Sequence, residues 1–277
     1  VDIKTIGIFA LVGMPYTLKF LWSPLVDRFV PPFLGRRKGW ILITQLLLVL
    51  GIAIMSRLQP EGSPFFMAAA AMFVAFTSAS QDIVVDAYRT DVLREKERGF
   101  GAAVFVTGYR IAMLVSGALA LIFSESIGWG NTYLIMAGLM LIGALSTIIS
   151  PDTVETAAPP KSIREAVTGP LEDYFSRDVA ASFLLLIVLY KLGDAYAGSL
   201  TTAFLIRGVG FSVGEVGTIN KGLGLLSTIF GAMFGGALMV RLGLFRSLMA
   251  FGLLQAVSNL SFMALAVIGK NYIMLIF

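Results

Sequence analysis

Apolar residues run in long blocks along this chain, and the charged residues collect in short stretches between them. Blocks fall at 3–26, 40–56, 65–88, 100–123, 131–149, 180–205, 215–239 and 247–268, and a ninth begins at 272. At a rise of about 1.5 Å per residue, a helix of this length crosses roughly 30 Å of hydrocarbon. Helices are required because lipid offers no partner to an unpaired backbone group. A membrane barrel would show alternating segments of about ten residues instead. The pattern therefore predicts an all-α, polytopic transmembrane bundle.

Where lysine and arginine fall predicts orientation. Loops after the first, third, fifth and seventh spans hold Arg28, Arg36, Arg37 and Lys38; Arg89, Arg94, Lys96 and Arg98; Lys161, Arg164 and Arg177; and Arg241 and Arg246. The opposite side holds Lys4, Arg57, Arg207 and Lys270. That is 13 against 4, with the other 4 of the 21 inside spans. The positive-inside rule then places loops 27–39, 89–99, 150–179 and 240–246 in the cytoplasm. The long connector carries Pro151, Pro159 and Pro160 before a mixed-charge stretch from Lys161. That stretch could form a surface helix with Ile163, Val167, Leu171 and Tyr174 on one face. A plain linker between two bundles fits the composition equally well. The expected organisation is an N-terminal bundle at 1–149, a linker at 150–179 and a C-terminal bundle at 180–277.

Composition narrows the chemistry. Charged residues make up 14% of the chain, where a soluble domain runs to about 25%. There is no cysteine, hence no disulfide or thiolate metal site, and no histidine, hence no imidazole proton relay. A proton-coupled step would have to use a carboxylate. No metal or cofactor is expected, and the positive charge sits in loops rather than in a nucleic-acid-binding patch. The chain opens at Val1 and stops inside an apolar run, so it reads as a fragment.

Seven ionisable residues fall inside the expected spans: Lys19, Asp82, Asp86, Arg110, Lys191, Asp194 and Lys221. Each costs roughly 2.5–3.5 kcal/mol on insertion scales, so each must face protein or water. Spans 40–56, 131–149 and 247–268 contain none, which predicts an uncharged outer layer around a polar interior. Asp82 and Asp86 lie one turn apart on one face, beside Ser78, Ser80 and Gln81. Asp86 could simply pair with Arg89 or Lys19, whereas the deeper Asp82 suits a proton carrier. Lys191 and Asp194 are either a neutralised pair or part of a site. Arg110, near mid-depth, could grip a carboxylate bidentately. Four cations against three anions tilt the interior toward an anionic substrate.

A faint repeat places Asp2-Ile3-Lys4-Thr5-Ile6 on Glu215-Val216-Gly217-Thr218-Ile219, and the same shift places Arg28 on Arg241. Two spans so related, in the same orientation, suggest two pseudo-symmetric bundles, a hallmark of one class of secondary transporter. Enzyme readings fail: Leu192-Gly193-Asp194 lacks the first glycine of an intramembrane aspartyl protease motif. The glycines at 222, 224, 231, 235 and 236 suit close helix packing in lipid.

Trp22-Ser23-Pro24-Leu25-Val26-Asp27-Arg28, followed by Gly35-Arg36-Arg37-Lys38-Gly39, resembles a stretched form of the major-facilitator loop motif. The segment Phe29–Leu34 stands inserted before the Gly-Arg-Arg. The antiporter signature (GPxxGG) is absent from the stretch Gly108 to Gly117. More specifically, the chain resembles the AmpG-type muropeptide permeases throughout its length. The carrying blocks are Asp2 to Gly7, Lys19 to Leu25, Ser78 to Val84, Thr90 to Leu93, Glu97 to Gly99, Leu189 to Ala195 and Phe204 to Phe211.

That resemblance implies a major-facilitator fold in which the first span is helix two, with helix one and everything after the start of helix ten outside this chain. It implies import of N-acetylglucosaminyl-anhydro-N-acetylmuramyl peptides across the bacterial inner membrane. Wall recycling and β-lactamase induction would follow, with proton symport by alternating access and no enzymatic step. The expected proton-coupling candidates are Asp82, Asp86 and Asp194. Substrate-binding candidates are Arg110, Lys191, Gln81, Lys221 and Lys19, and Asp27, Arg28, Arg36 and Arg37 form a gating loop. The expected partners are the anionic muropeptide, the proton and the bilayer, for a protein working as a monomer. Alternatives are a major-facilitator carrier of another anionic metabolite or peptide, or a membrane receptor or scramblase that transports no solute.

Overall fold

Every regular element of the computed structural model is helical, over described residues 11–59, 62, 64–153, 159–216 and 224–273. The first span departs from expectation. From Leu11 it is a 3-10 turn (Leu11–Gly13), α1 (Met14–Leu18), a second 3-10 turn (Lys19–Leu21) and α2 (Ser23–Arg28). Pro15 and Pro24 explain the breaks. Each sits in the first turn of its short helix, where a missing N–H goes unnoticed, whereas inside one long helix each would delete a bond.

The inserted segment after α2 folds back on the next helix, α3 (Gly35–Met55). The Trp40 indole donates to the Phe29 carbonyl at 2.6 Å, and Leu34 takes a left-handed φ of 56° to turn the chain. A Cβ at position 39 would stand 2.6 Å from the Phe33 carbonyl oxygen, so only glycine fits there. The expected loop 27–39 thus shrinks to Phe29–Leu34: Asp27 and Arg28 end α2, and Arg36 and Arg37 begin α3.

Other connectors are shorter than expected too. α4 (Pro64–Val92) leaves only 93–97 before α5 (Arg98–Leu114). A π turn (Val115–Leu119) joins α5 to α6 (Ala120–Ile149), which is interrupted only at Gly128 (φ 79°, ψ 160°). α7 (Ile163–Phe175) fills the second part of the linker, and α8 (Ala180–Ala203) ends in a π turn (Phe204–Gly208). α9 (Val213–Val216) precedes α10 (Gly224–Leu242) and α11 (Leu244–Ile268). Gly243 alone separates the last two, at φ 78°, a conformation L side chains rarely adopt. The expected loop 240–246 is therefore one residue.

Among the described residues, four helical stretches are long and apolar enough to cross a membrane: Gly35–Met55, Pro64–Val92, Arg98–Ile149 and Leu244–Ile268. Ala180–Gly193 and Leu226–Leu242 are shorter apolar helices.

The chain clusters into two compact units. The first comprises Val1–Glu95 with Ala112–Glu172; the second comprises Lys96–Ile111 with Asp173–Phe277. In the first, α3 packs between α4 and α6. Val26, Ile41 and Val84 form a core with Trp22, Trp40, Val85 and Tyr88 around it. In the second, Leu205, Phe211, Val216 and Leu265 form the core. Helix 98–111 lies tightly on α10, where a Cβ on Gly236 would come within 2.5 Å of that of Ala103. Gly235 faces the Phe251 ring, whereas Gly231 faces open space, so close packing accounts for some of the glycine row only.

Burial within each unit differs among the spans expected to form an uncharged outer layer. On α11 only Ser247 and Leu265 are buried. α3 is instead well covered, and it buries Thr44 and Gln45 as well as Ile41 and Leu48.

Candidate functional site

The polar stretch of α4 meets the broken first span. Tyr16, Lys19 and Trp22 recur every three residues, and winding near three residues per turn brings such positions onto one side. Tyr16 Oη donates to Ser78 Oγ at 2.8 Å, and Trp22 Nε1 donates to Ser80 Oγ at 3.0 Å. The Ser80 hydroxyl in turn donates a hydrogen bond to the Phe76 carbonyl at 2.8 Å, and the Trp22 and Phe76 rings lie 4.7 Å apart. Between these fixed points Lys19 Nζ reaches Asp82 Oδ2 at 3.4 Å. Both side chains are partly open, 33% for Lys19 and 47% for Asp82. An ion pair so exposed is worth only about 0–1 kcal/mol, so it opens readily. Next to it, Gln81 Oε1 is buried and receives no hydrogen bond from the described residues. A buried acceptor without a donor costs about 1–3 kcal/mol, which an incoming N–H or O–H would recover.

Asp86 pairs with Arg89 at 3.2 Å, one turn along its own helix. At the same end of the helices, Arg37 bridges two carboxylates: Nη1 meets Asp27 Oδ1 and Nε meets Asp91 Oδ2, both at 2.8 Å. One guanidinium thereby ties α2 and α4 to the start of α3. Lys38 points the other way and is almost fully buried. Its Nζ donates to the Ser150 carbonyl and to Asp152 Oδ1, both at 2.8 Å, and lies 3.4 Å from the Ile148 carbonyl. It thus caps the unsatisfied carbonyl end of α6. Arg28 donates to the Pro160 carbonyl at 3.1 Å, and Arg36 is buried at the head of α3.

In the second unit, Arg110 Nε is buried with no acceptor among the described residues, and its guanidinium lies 5.9 Å from the Tyr109 ring centre. Lys191 stands on the exposed side of α8. Lys221 and the Asp194 side chain lie outside the described residues, as does Asp2 of the repeat. α9 opens with a reciprocal cap. Ser212 Oγ accepts from the Glu215 amide at 3.1 Å, and Glu215 Oε2 accepts from the Ser212 amide at 2.7 Å. The same carboxylate holds Lys270 at 2.9 Å and the Tyr272 hydroxyl. Those two donors and the Ser212 amide hold the Glu215 carboxyl down at about 2. The Glu215 carboxylate raises the Lys270 amine in return.

The Major Facilitator Superfamily profile matches residues 5–277. The chain belongs to that superfamily. It is 55% identical over 272 residues to the anhydromuropeptide permease of Escherichia coli strain K12, across 98% of this chain and 55% of the relative. An uncharacterized protein of Haemophilus influenzae is 38% identical over 273 residues, 97% of this chain and 64% of the relative. The putative transporter AmpG 4 of Rickettsia felis is 36% identical over 279 residues, 95% and 66% respectively. The chain thus spans a little over half the length of its Escherichia coli relative.

This major-facilitator chain is membrane-embedded and helical, as the apolar blocks predict. The sequence reading placed Gln81 beside Asp82 and named Lys19 apart from them, and the structure brings Lys19 to Asp82. It missed Lys38 as a helix cap, because a fourth basic residue in Gly-Arg-Arg-Lys-Gly looked like one more loop charge. It also passed over Ser212-Val213-Gly214-Glu215, although serine followed by glutamate three places on is a capping signal.

Proposed function

We propose that this chain is the larger part of a proton-coupled importer of anhydromuropeptides in a bacterial inner membrane, and that it catalyses no covalent chemistry. The supporting observation is the 55% identity to the Escherichia coli permease, sustained over 98% of the chain. Loops 27–39, 89–99, 150–179 and 240–246 face the cytoplasm, residues 1–149 and 180–277 belong to two pseudo-symmetric bundles, and the working unit is a monomer.

Coupling runs through the Lys19–Asp82 pair. When Asp82 takes a proton from the outer side, its charge vanishes and Lys19 loses its counter-ion. The ammonium then accepts a carboxylate of the peptide stem in its place. When the proton leaves to the cytoplasm, Asp82 reclaims Lys19 and the carboxylate is released. Gln81 offers its buried carbonyl to an amide N–H of the cargo, and Arg110 and Lys191 hold further carboxylates. Asp86 and Asp194 stand as alternative proton carriers, Lys221 as a further cation. Arg37 and its two aspartates, with Arg28 and Arg36, set the helix ends that move during alternating access.

The deciding experiment places the full-length protein in liposomes with labelled anhydromuropeptide outside, with and without an acid-outside gradient. Uptake that rises with the gradient and collapses with a protonophore is expected. A folded preparation that takes up none under either condition overturns the substrate assignment.

A further inference from the structure

The Lys19–Asp82 pair does not hold itself in place. Its members are 3.4 Å apart and partly open, and so exposed an ion pair is too weak to fix the winding of a chain. Other groups fix the backbone beneath it. In an unbroken α-helix the amide of residue 24 would donate to the Phe20 carbonyl. Pro24 has no amide hydrogen, and its ring would crowd that carbonyl. The Ser23 hydroxyl stands in for the missing donor, 3.1 Å from the Phe20 oxygen. The Trp22 amide turns back to the Lys19 carbonyl and closes the 3-10 turn, and the Leu25 amide donates to the Trp22 carbonyl at 3.0 Å as α2 begins. The break is thus built into the dipeptide Ser23-Pro24.

A break of this kind sets phase. Three residues turn the chain by about 360° in a 3-10 helix and by about 300° in an α-helix. Rewinding the turn Lys19–Leu21 as α-helix would therefore swing Lys19 by about 60° around the axis relative to Trp22. Trp22 is the fixed end. Its indole donates to Ser80 Oγ at 3.0 Å, its ring lies 4.7 Å from that of Phe76, and it packs on the core of Val26, Ile41 and Val84. Tyr16 marks the other end, through its bond to Ser78. Phe20 and Leu21 are 64% and 62% exposed, so of the three residues in the turn the lysine is the one brought to α4.

We propose that Trp22, Ser23 and Pro24 are positioning residues for substrate binding: they keep Lys19 in place against α4 whether or not Asp82 carries its charge. When Asp82 is protonated, the ammonium has lost its counter-ion but not its position. An incoming carboxylate then meets a cation whose backbone is already ordered, which lowers the cost of binding. The inference rests on the reading of Lys19 as the cation that receives the cargo, and it adds that the chain, not Asp82, does the placing.

Full-length protein carrying Lys19→Cys and Asp82→Cys as its only cysteines tests the placing with the ion pair gone. A short bis-methanethiosulfonate should join the two rapidly, and several-fold more slowly once Pro24→Ala or Trp22→Phe is added. Equal rates with and without those changes would overturn the proposal. The cross-link needs no cargo, so this arm stands even if the muropeptide assignment fails. Transport supplies the second arm, with Lys19 and Asp82 intact. Trp22→Phe keeps a ring beside Phe76 and removes the N–H; it should raise substrate KM in downhill exchange several-fold and leave the maximal rate near the parent's. Ser80→Ala should match it, and Ser80→Thr, which keeps the hydroxyl, should restore the parental KM. A fall in maximal rate at unchanged KM, or equal behaviour of the two Ser80 variants, would rule out the positioning role. If cross-linking slowed as expected but Lys19→Met left KM unchanged, the placing would be supported and the reading of Lys19 as the cargo's cation would fall.

Discussion

Gln45 and Gln81 are the same residue type on neighbouring helices of the first unit, and their surroundings differ completely. On α3, Gln45 is buried and its carbonyl accepts the Thr147 hydroxyl at 2.9 Å, linking α3 to α6. On α4, the Gln81 carbonyl is buried with no donor among the described residues, beside an ion pair half open to its surroundings. Polar groups in apolar spans thus divide into two kinds. Those around Gln45 and Lys38 are satisfied by other helices and fasten the unit together. Those around Asp82 are held in position but left incompletely served, as groups that exchange partners must be.

The sharpest way to break this division is Asp82→Asn. A gradient of one pH unit is worth about 1.4 kcal/mol per coupled proton, about tenfold in accumulation. The asparagine protein should lose that whole factor in liposome uptake while still exchanging substrate across the membrane. Full gradient-driven accumulation by the variant would remove Asp82 from the coupling role.

Lys38→Met comes next. It strips the donor from the carbonyl end of α6 and should cost about 1–3 kcal/mol, seen as a lower melting temperature in detergent. An unchanged melting point would mean that the buried amine fastens nothing.

Gln45→Leu should destabilise by about 0.6–1.7 kcal/mol, and Gln45→Leu with Thr147→Val should recover most of the loss, because both partners then leave together. Gln81→Leu should behave oppositely, with stability kept or improved and substrate KM raised. If the two glutamine variants gave the same pattern, the comparison would fail.

The smallest effect is expected at the Glu215 clamp. Its carboxyl lies at about 2 in the folded chain, against an ordinary 4.5. The folded pKa is depressed, so the clamp's contribution is complete above about pH 4.5 and fades as pH falls toward 2. The melting difference between the parent and Glu215→Gln should therefore stay level from pH 7 to 5 and narrow below 4.5. A difference that narrowed nearer pH 6 would contradict the clamp.

Most of the architecture was legible because hydropathy reports it directly: a block of apolar residues has few other uses than crossing lipid. The first span was misread as one helix because Pro15 and Pro24 looked like residues inside a span, and each is tolerated at the start of a helix of its own. Connectors were read too long at 27–39, 89–99 and 240–246, since charge marks the end of the hydrocarbon and not the end of the helix. At the site, residue types pointed to Asp82, Gln81 and Lys19, but the pairing was hidden. Lys19 was a partner considered for Asp86, and only the 3-10 turn at Lys19–Leu21 brings it to Asp82 instead. Gln45 and Thr147, 102 residues apart, leave no signature in a single sequence, because a hydrogen bond across two helices imposes no local spacing.

The one-residue joint at Gly243 carries a mechanical consequence. A long loop absorbs rotation, as slack in a rope absorbs a pull; a single residue has none to offer. Any tilt or roll of α10 is therefore handed on to α11 at its first turn, with the phase between the two helices set by one pair of backbone angles. A side chain at 243 would not simply crowd its surroundings. It would retune the angle at which one lever drives the next.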